Sequence, residues 1–162
     1  MDISIEYLKE HMSYVPSNGR LYWRKPGKGR RAGVAVGTRT PNGYLVMSNP
    51  EDNTTLVPVH RVCFAIVHGY YPEVVDHING KRDDNRIENL RAATHWQNRQ
   101  NSKMPRTNST GYKWVRRDGD KFMCVVRVRG KSHTWRGFTT AHEAHLVAAD
   151  FNKRVAGRFH KS

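Results

Sequence analysis

The chain is poor in cysteine, in acidic residues and in long apolar runs. Its two cysteines, Cys63 and Cys124, stand far apart in apolar surroundings. The close cysteine pairs of a zinc ribbon are therefore absent, and a disulfide is not expected. No apolar run is long enough to cross a membrane, and the start has neither a charged-apolar-small leader pattern nor a strongly basic amphipathic helix. These absences lead to the expectation of a soluble, cytoplasmic protein with no membrane partner. Apolar residues make up only 37% of the 162 positions, and the pattern changes character at least twice. Small linked modules are expected rather than one large core.

Positive charge is in excess: 28 Lys and Arg stand against 14 Asp and Glu, a formal net charge of +14. Uncompensated charge of this size opposes compaction and is best tolerated beside phosphates, so the expected partner is nucleic acid and not a small-molecule substrate. The excess is uneven. Residues 104–162 hold 13 Lys/Arg against 4 Asp/Glu, whereas residues 1–103 hold 15 against 10.

Ile5, Leu8 and Met12 recur at helical spacing near the start, and Ser17-Asn18-Gly19 then turns the chain into a brief strand at Leu21-Tyr22-Trp23. The basic run Arg24 to Arg31 reads as a loop within reach of phosphates. From Val34 to His60 the texture is that of an antiparallel sheet of three or four short strands, turning at Pro41-Asn42-Gly43. His60 to His68 is almost wholly apolar and stops at Gly69, as a buried helix would. His60 sits where strand becomes helix and is read as locally hydrogen-bonded rather than as a metal ligand.

The densest chemistry follows. Glu73 to His77 forms a short strand that delivers Asp76-His77 to its end, and Gly80 permits a tight reversal. Asp83-Asp84-Asn85 are suited to capping a helix at Arg86 to Leu90, and Thr94 to capping another through Trp96, Asn98 and Asn101. Phosphodiester hydrolysis needs a base for the attacking water and a cation for the charge on the phosphate. An unperturbed histidine is substantially neutral at cellular pH, so His77 suits the base. Asp76 and Asn98 offer hard oxygens, one anionic and one neutral, which favours magnesium or manganese, one ion per chain, over zinc. Arg82, Arg86 and Arg99 are candidates for clamping the phosphate, and the spacing does not choose among them.

Asp76-His77, then Asn89-Leu90, then Asn98 resembles the ββα-metal core of the HNH homing endonucleases, in the variant with asparagine as the last member. The resemblance implies a site-specific, divalent-metal-dependent DNA endonuclease in which Asn89 orients His77, and cleavage leaves 5′-phosphate and 3′-hydroxyl ends. Together with the N-terminal sheet it also resembles the freestanding or intron-encoded homing endonucleases common in phages, which implies the cytoplasm of a bacterial host. One metal site per chain implies nicking by a monomer, and a homodimer would cut both strands.

Beyond a polar linker, residues 121–138 alternate. Phe122, Cys124, Val126 and Val128 face one way and Arg127 and Arg129 the other, with His133 and Trp135 expected to extend that second, basic face. Thr140 and Glu143 match a capping box, and Ala144, Val147, Ala148, Phe151 and Val155 repeat at helical spacing up to Gly157. Gly111 to Arg116, Trp135 to Phe138 and Ala148 to Asn152 resemble the ethylene-response-factor (APETALA-type) DNA-binding domain. That resemblance implies that Lys113, Arg116, Arg127, His133 and Trp135 contact duplex DNA, and Arg129 on the same basic face joins them. Trp114 stands where that family usually has glycine, Phe122 where it has tryptophan, and Val125 where it often has glutamate, so the family's sequence preference does not transfer.

The expected fold is α+β: a small N-terminal antiparallel sheet, a central ββα-metal motif, and a C-terminal three-stranded antiparallel sheet packed on one helix. The expected organisation is a β-rich DNA-binding region over 1–58, a nuclease core over 59–103, a linker over 104–110 and a second DNA-binding domain over 111–162. The rival expectation is a sequence-specific DNA-binding regulator on an inactive HNH scaffold, and an RNA target is a third.

Overall fold

Ser4 starts the first helix: its hydroxyl accepts the Tyr7 N–H at 3.3 Å, and α1 (Ile5–His11) follows, with Leu8 buried. A strand the spacing did not suggest comes next. β1 (Met12–Val15) pairs antiparallel with β2 (Arg20–Trp23), with Met12 opposite Trp23. β3 (Thr38–Arg39), β4 (Leu45–Ser48) and β5 (Leu56–Pro58) form the small antiparallel sheet expected here, with β4 in the middle. α2 (Val59–His68) leaves β5 directly and ends at Gly69, whose φ of 77° satisfies the helix end in the left-handed region.

β6 (Val74–His77) carries the Asp-His pair and pairs antiparallel with β7 (Leu90–Ala93), so that Asp76 lies opposite Arg91 and His77 opposite Leu90. The helix expected over Arg86 to Leu90 is instead one 3-10 turn, Ile87–Asn89, running straight into β7. Leu-Arg-Ala-Ala has little strand propensity of its own, and the pairing with β6 decides its conformation. One core joins Ile3, Leu8, Met12 and Leu21 to Val57, Val62, Phe64, Val75 and Leu90, so the N-terminal hairpin and the β6–β7 hairpin share buried side chains with α2.

The chain divides between Thr94 and His95 into two compact units. The second unit begins with α3 (His95–Asn101) and continues with β8 (Val115–Asp118), β9 (Lys121–Val128) and β10 (Lys131–Phe138), an antiparallel sheet with β9 in the middle. Helix α4 (Ala141–Ala156) covers one sheet face, burying Ala144 and Ala148 against Val115, Cys124 and Val126. The expected capping box is formed: Thr140 Oγ1 accepts the Glu143 N–H at 3.2 Å, and Glu143 Oε2 accepts the Thr140 N–H at 3.3 Å. Trp114 holds a φ of 67°, the region that favours glycine, at the position where the resembled family usually has one.

The computed structural model describes residues 2–27, 30–101, 104 and 107–156. Lys28 and Gly29 of the basic loop, Ser102 and Lys103 at the end of the expected nuclease core, Pro105 and Arg106 of the linker, and the helix end at Gly157 lie outside the described residues. Among the described residues no helix is long and apolar enough to cross a membrane.

Candidate active site

His77 closes β6 and is only 5% exposed. Its Nε2 lies 3.0 Å from Asn85 Oδ1, and its ring centroid is 4.8 Å from that of His60 and 6.0 Å from that of Tyr44. Burial pushes the His77 pKa below the ordinary histidine value; the bond to Asn85 and the carboxylates Asp76, Asp84 and Asp83 oppose that shift without overcoming it. His60, 8% exposed, is pushed down to about 3, first by burial and then by His77 and Arg61. The pair therefore presents two neutral imidazoles at neutral pH, the protonation state a general base requires. The local hydrogen bond expected to hold His60 at the strand-to-helix junction is not made, and its buried Nδ1 has no partner among the described residues.

Asp76 occupies the neighbouring position on β6 and is also buried. Its Oδ2 accepts Nε and a terminal N–H of Arg91, at 2.9 and 2.8 Å, across the strand pair that sets the two side chains opposite each other. The two side chains are 5% and 13% exposed, so this is an interior ion pair. Sequence spacing missed Arg91; the signal was its register position opposite Asp76, visible only once β7 is recognised as a strand.

The loop between the strands is built on side chains. Asn89 Oδ1 accepts the Asn79 N–H at 2.9 Å, and Asn89 Nδ2 donates to the Asp84 carbonyl at 2.8 Å. Asn89 is thus a staple of the loop backbone, and the ring of His77 is bonded by Asn85 instead. Asn89, expected to orient His77, is bonded to the loop backbone and not to the imidazole ring. The physical reason is the 3-10 turn, which spends the Asn89 amide on Asn79 and Asp84. Asn85 was read only as a capping residue in a charged triplet, yet it is 1% exposed.

Asp84 accepts Arg86 Nε at 2.8 Å and Asn79 Nδ2 at 2.8 Å, which holds its carboxyl well below the usual range. Arg86 also pairs with Glu88 at 3.0 Å. Arg82 donates to the Asn42 carbonyl at 2.8 Å and lies over the Tyr44 ring at 4.9 Å, which places it beside the histidine pair. The first unit thus brings together Asp76, His77, Asn89, Arg82 and Arg86. Asn98 and Arg99 are exposed on α3, in the second unit.

No group of three or more His, Cys, Asp or Glu side chains suited to a metal exists among the described residues. The donors are hard oxygens with little charge: one carboxylate, already paired with Arg91, and amide oxygens. That chemistry fits a weakly held divalent cation that draws most of its shell from phosphate and water, and does not fit zinc.

In the second unit, Arg116 is paired with Met123 and Arg127 with Ser132 on the sheet face away from α4. An open groove of about 770 Å³ on this side is lined by Arg99, Lys113, Arg116, Arg117 and Arg127, with Val125 and Ser132 between them. Trp96 on α3 donates to the Arg127 carbonyl at 2.6 Å. Arg129 sits at the β9–β10 hairpin tip with a φ of 45°, followed by Gly130 at 82°, the left-handed pair of a two-residue turn.

His133 and Trp135 are on the other face. They lie opposite Val126 and Cys124, and directly paired residues of an antiparallel sheet share a face. Their rings pack on Phe151 of α4, with centroids at 4.7 and 4.9 Å. The expectation that they extend the basic face is therefore corrected: the hairpin register, one residue from what alternation through the turn suggests, turns both toward the helix.

Residues 57–100 match the family model described as HNH endonuclease. The matched stretch contains Asp76, His77, Asn85, Asn89 and Asn98, and supports reading this part of the chain as a nuclease acting on DNA, of a class that generally uses divalent metal ions. Neither the curated proteins nor the solved structures give a match to the chain.

Proposed function

We propose that the chain is a site-specific, divalent-metal-dependent DNA endonuclease of the homing type that nicks one strand of its target. The observation that carries this reading is the buried, neutral His77, fixed at one ring nitrogen and set beside a buried carboxylate within the stretch that matches the HNH family. His77 takes the proton of the attacking water. Asn89 holds the loop that carries the site, and Arg82, beside the histidine pair, is the best placed of the three arginines to meet the scissile phosphate. A magnesium or manganese ion, one per chain, with Asp76 as its carboxylate ligand, would supply neutralisation of charge on the phosphate and on the departing oxygen.

The second unit chooses the site. Lys113, Arg116 and Arg127 on the basic groove, with Arg129 at the hairpin tip, are the proposed contacts to duplex DNA, as in the ethylene-response-factor-type domains that residues 111–162 resemble. Arginine can bind guanine through two hydrogen bonds, and phosphate neutralisation adds a strongly salt-dependent term.

The test is incubation of supercoiled plasmid carrying candidate sites with magnesium or manganese, comparing wild type with His77→Ala. The expected result is relaxed circles from wild type only. Tight binding without cleavage in every divalent ion tried would reject the enzyme in favour of a DNA-binding regulator, and preferential retention of RNA would reject the groove-docking proposal.

A further inference from the structure

We propose that Asn85 is the positioning residue of the site: it fixes the ring of His77 in the tautomer with hydrogen on Nε2, so that Nδ1 is the nitrogen that takes a proton, and the N-terminal β1–β2 hairpin holds Asn85 in place. The proposal rests on the reading of His77 as the base. Asn85 Oδ1 is 3.0 Å from His77 Nε2, and an amide oxygen only accepts, so the proton of that bond belongs to the imidazole. The hydrogen bond at one ring nitrogen decides which tautomer the other nitrogen presents.

The Asn85 side chain is buried at 1% exposure, and its Nδ2 has no hydrogen-bond partner among the described residues. An interior amide with an idle donor opposes folding, and such groups concentrate where a polar contact serves chemistry. Among the described residues the Asn85 side chain has one bond, to His77, and no other that accounts for its place inside.

The backbone around Asn85 is held from the far end of the unit. Tyr14 Oη on β1 donates to the Asn85 carbonyl at 3.1 Å and accepts the Ile87 N–H at 2.8 Å, gripping the segment on both sides. Gly19, in the turn to β2, lies so close that an added Cβ would sit 2.4 Å from Arg86 N and 2.6 Å from Asn85 C, and its φ is +69°. The same glycine's carbonyl meets Cys63 Sγ of α2 at 3.9 Å. The hairpin therefore acts as a rigid backstop that sets where the Asn85 amide, and with it the imidazole, can point.

The experiment uses the full chain, ¹⁵N-labelled at histidine, at an alkaline pH where the imidazoles are neutral and without added metal. Long-range ¹H–¹⁵N spectra, assigned with His77→Gln, report the tautomer of His77. Wild type should show the Nε2–H form, Asn85→Ala a shift toward the other tautomer, and Asn85→Asp, which keeps an acceptor oxygen, the wild-type form. In plasmid nicking, Asn85→Ala should lower kcat at least roughly tenfold, within the 10²–10⁴ that a general base contributes, with KM and DNA binding unchanged. Tyr14→Phe, the milder probe should Asn85→Ala fail to fold, should give an intermediate tautomer mixture and a smaller loss.

An Nδ1–H tautomer in wild type, or an unaltered His77 spectrum in a folded Asn85→Ala, overturns the proposal even where His77→Ala is inactive. Conversely, if His77→Ala nicks as fast as wild type, the base assignment fails while the spectra still decide whether Asn85 sets the tautomer.

Discussion

The two units handle polar groups in opposite ways. In the first, His77, Asp76, Asn85 and Asn89 are all buried and each is tied to a named partner, while the second spreads Arg116, Arg127 and Arg129 over exposed surface. A group that must act on one bond gains from a fixed orientation and low dielectric, where each interaction is stronger and each loss larger. A surface that must meet many phosphates gains from mobility and hydration, and its individual contacts are weak. Substitutions should therefore fall into two sets: few and severe in the first unit, several and mild in the second.

The largest effect expected is on chemistry. His77→Ala should reduce the nicking rate by about 10²–10⁴ while leaving DNA affinity within twofold, measured by plasmid relaxation and gel shift in parallel. A comparable loss of affinity would put His77 in binding and blur the division of labour. Next in size is stability. Arg91→Met leaves the buried Asp76 carboxylate without its cross-strand partner, a kind of loss that costs about 3–5 kcal/mol, read from urea midpoints in EDTA. If Asp76 holds a divalent ion, magnesium should restore part of that stability in the variant and change the wild type less, because in the wild type Arg91 already neutralises the carboxylate.

The same contrast explains what the sequence could reveal. The helix-end and capping signals at Gly69, Thr140 and Glu143 rest on local chemistry, and each is realised as read. The class of the site was legible because Asp76, His77, Asn89 and Asn98 fall in a stretch whose spacing a family model also matches. The partners were not. Arg91 meets Asp76 through strand register, and the backbone at Asn85 is bonded by Tyr14, a residue far earlier in the chain. His133 and Trp135 were misplaced because the two-residue turn at Arg129-Gly130 sets a register that alternation along one strand does not contain. Alternation fixes faces within a strand; only pairing fixes them between strands.

Acid should expose the buried imidazoles. An unfolded histidine takes its proton near 6.5, whereas His60 stays neutral down to about 3 in the folded protein. Between those values the unfolded chain binds the extra proton, so stability rises with pH across the window and is lost as pH falls from 6.5 toward 3. The slope due to this one group is at most about 1.4 kcal/mol per pH unit. The groups facing His60 are the rings of His77 and Tyr44 and the cation of Arg61. His60→Phe, which keeps an aromatic ring against Tyr44 and His77, should flatten the acid limb of urea midpoints taken from pH 4 to 8. An unchanged limb would mean that His60 opens to water in the folded state, and the first unit would then be less closed than its burial suggests.

The smallest effect separates the two faces of the second unit. Arg127→Ala removes an exposed cation from the basic groove, and if it meets a phosphate the slope of log affinity against log salt should fall by about 1. Trp135→Phe leaves that groove untouched, because Trp135 packs against Phe151 on the other side of the sheet. It should leave the salt slope unchanged and lower thermal stability slightly, as expected for shrinking a partly buried ring. Fluorescence-anisotropy titrations of duplex DNA at several salt concentrations, paired with thermal melts, read both variants. Should Trp135→Phe change the salt slope and Arg127→Ala the melting temperature, the face assignment would be reversed, and DNA would have to enter from the side that α4 covers, which demands displacement of the helix. The opposite pairing of effects leaves the sheet face with Arg116 and Arg127 as the docking surface and assigns the aromatic cluster to holding that face rigid.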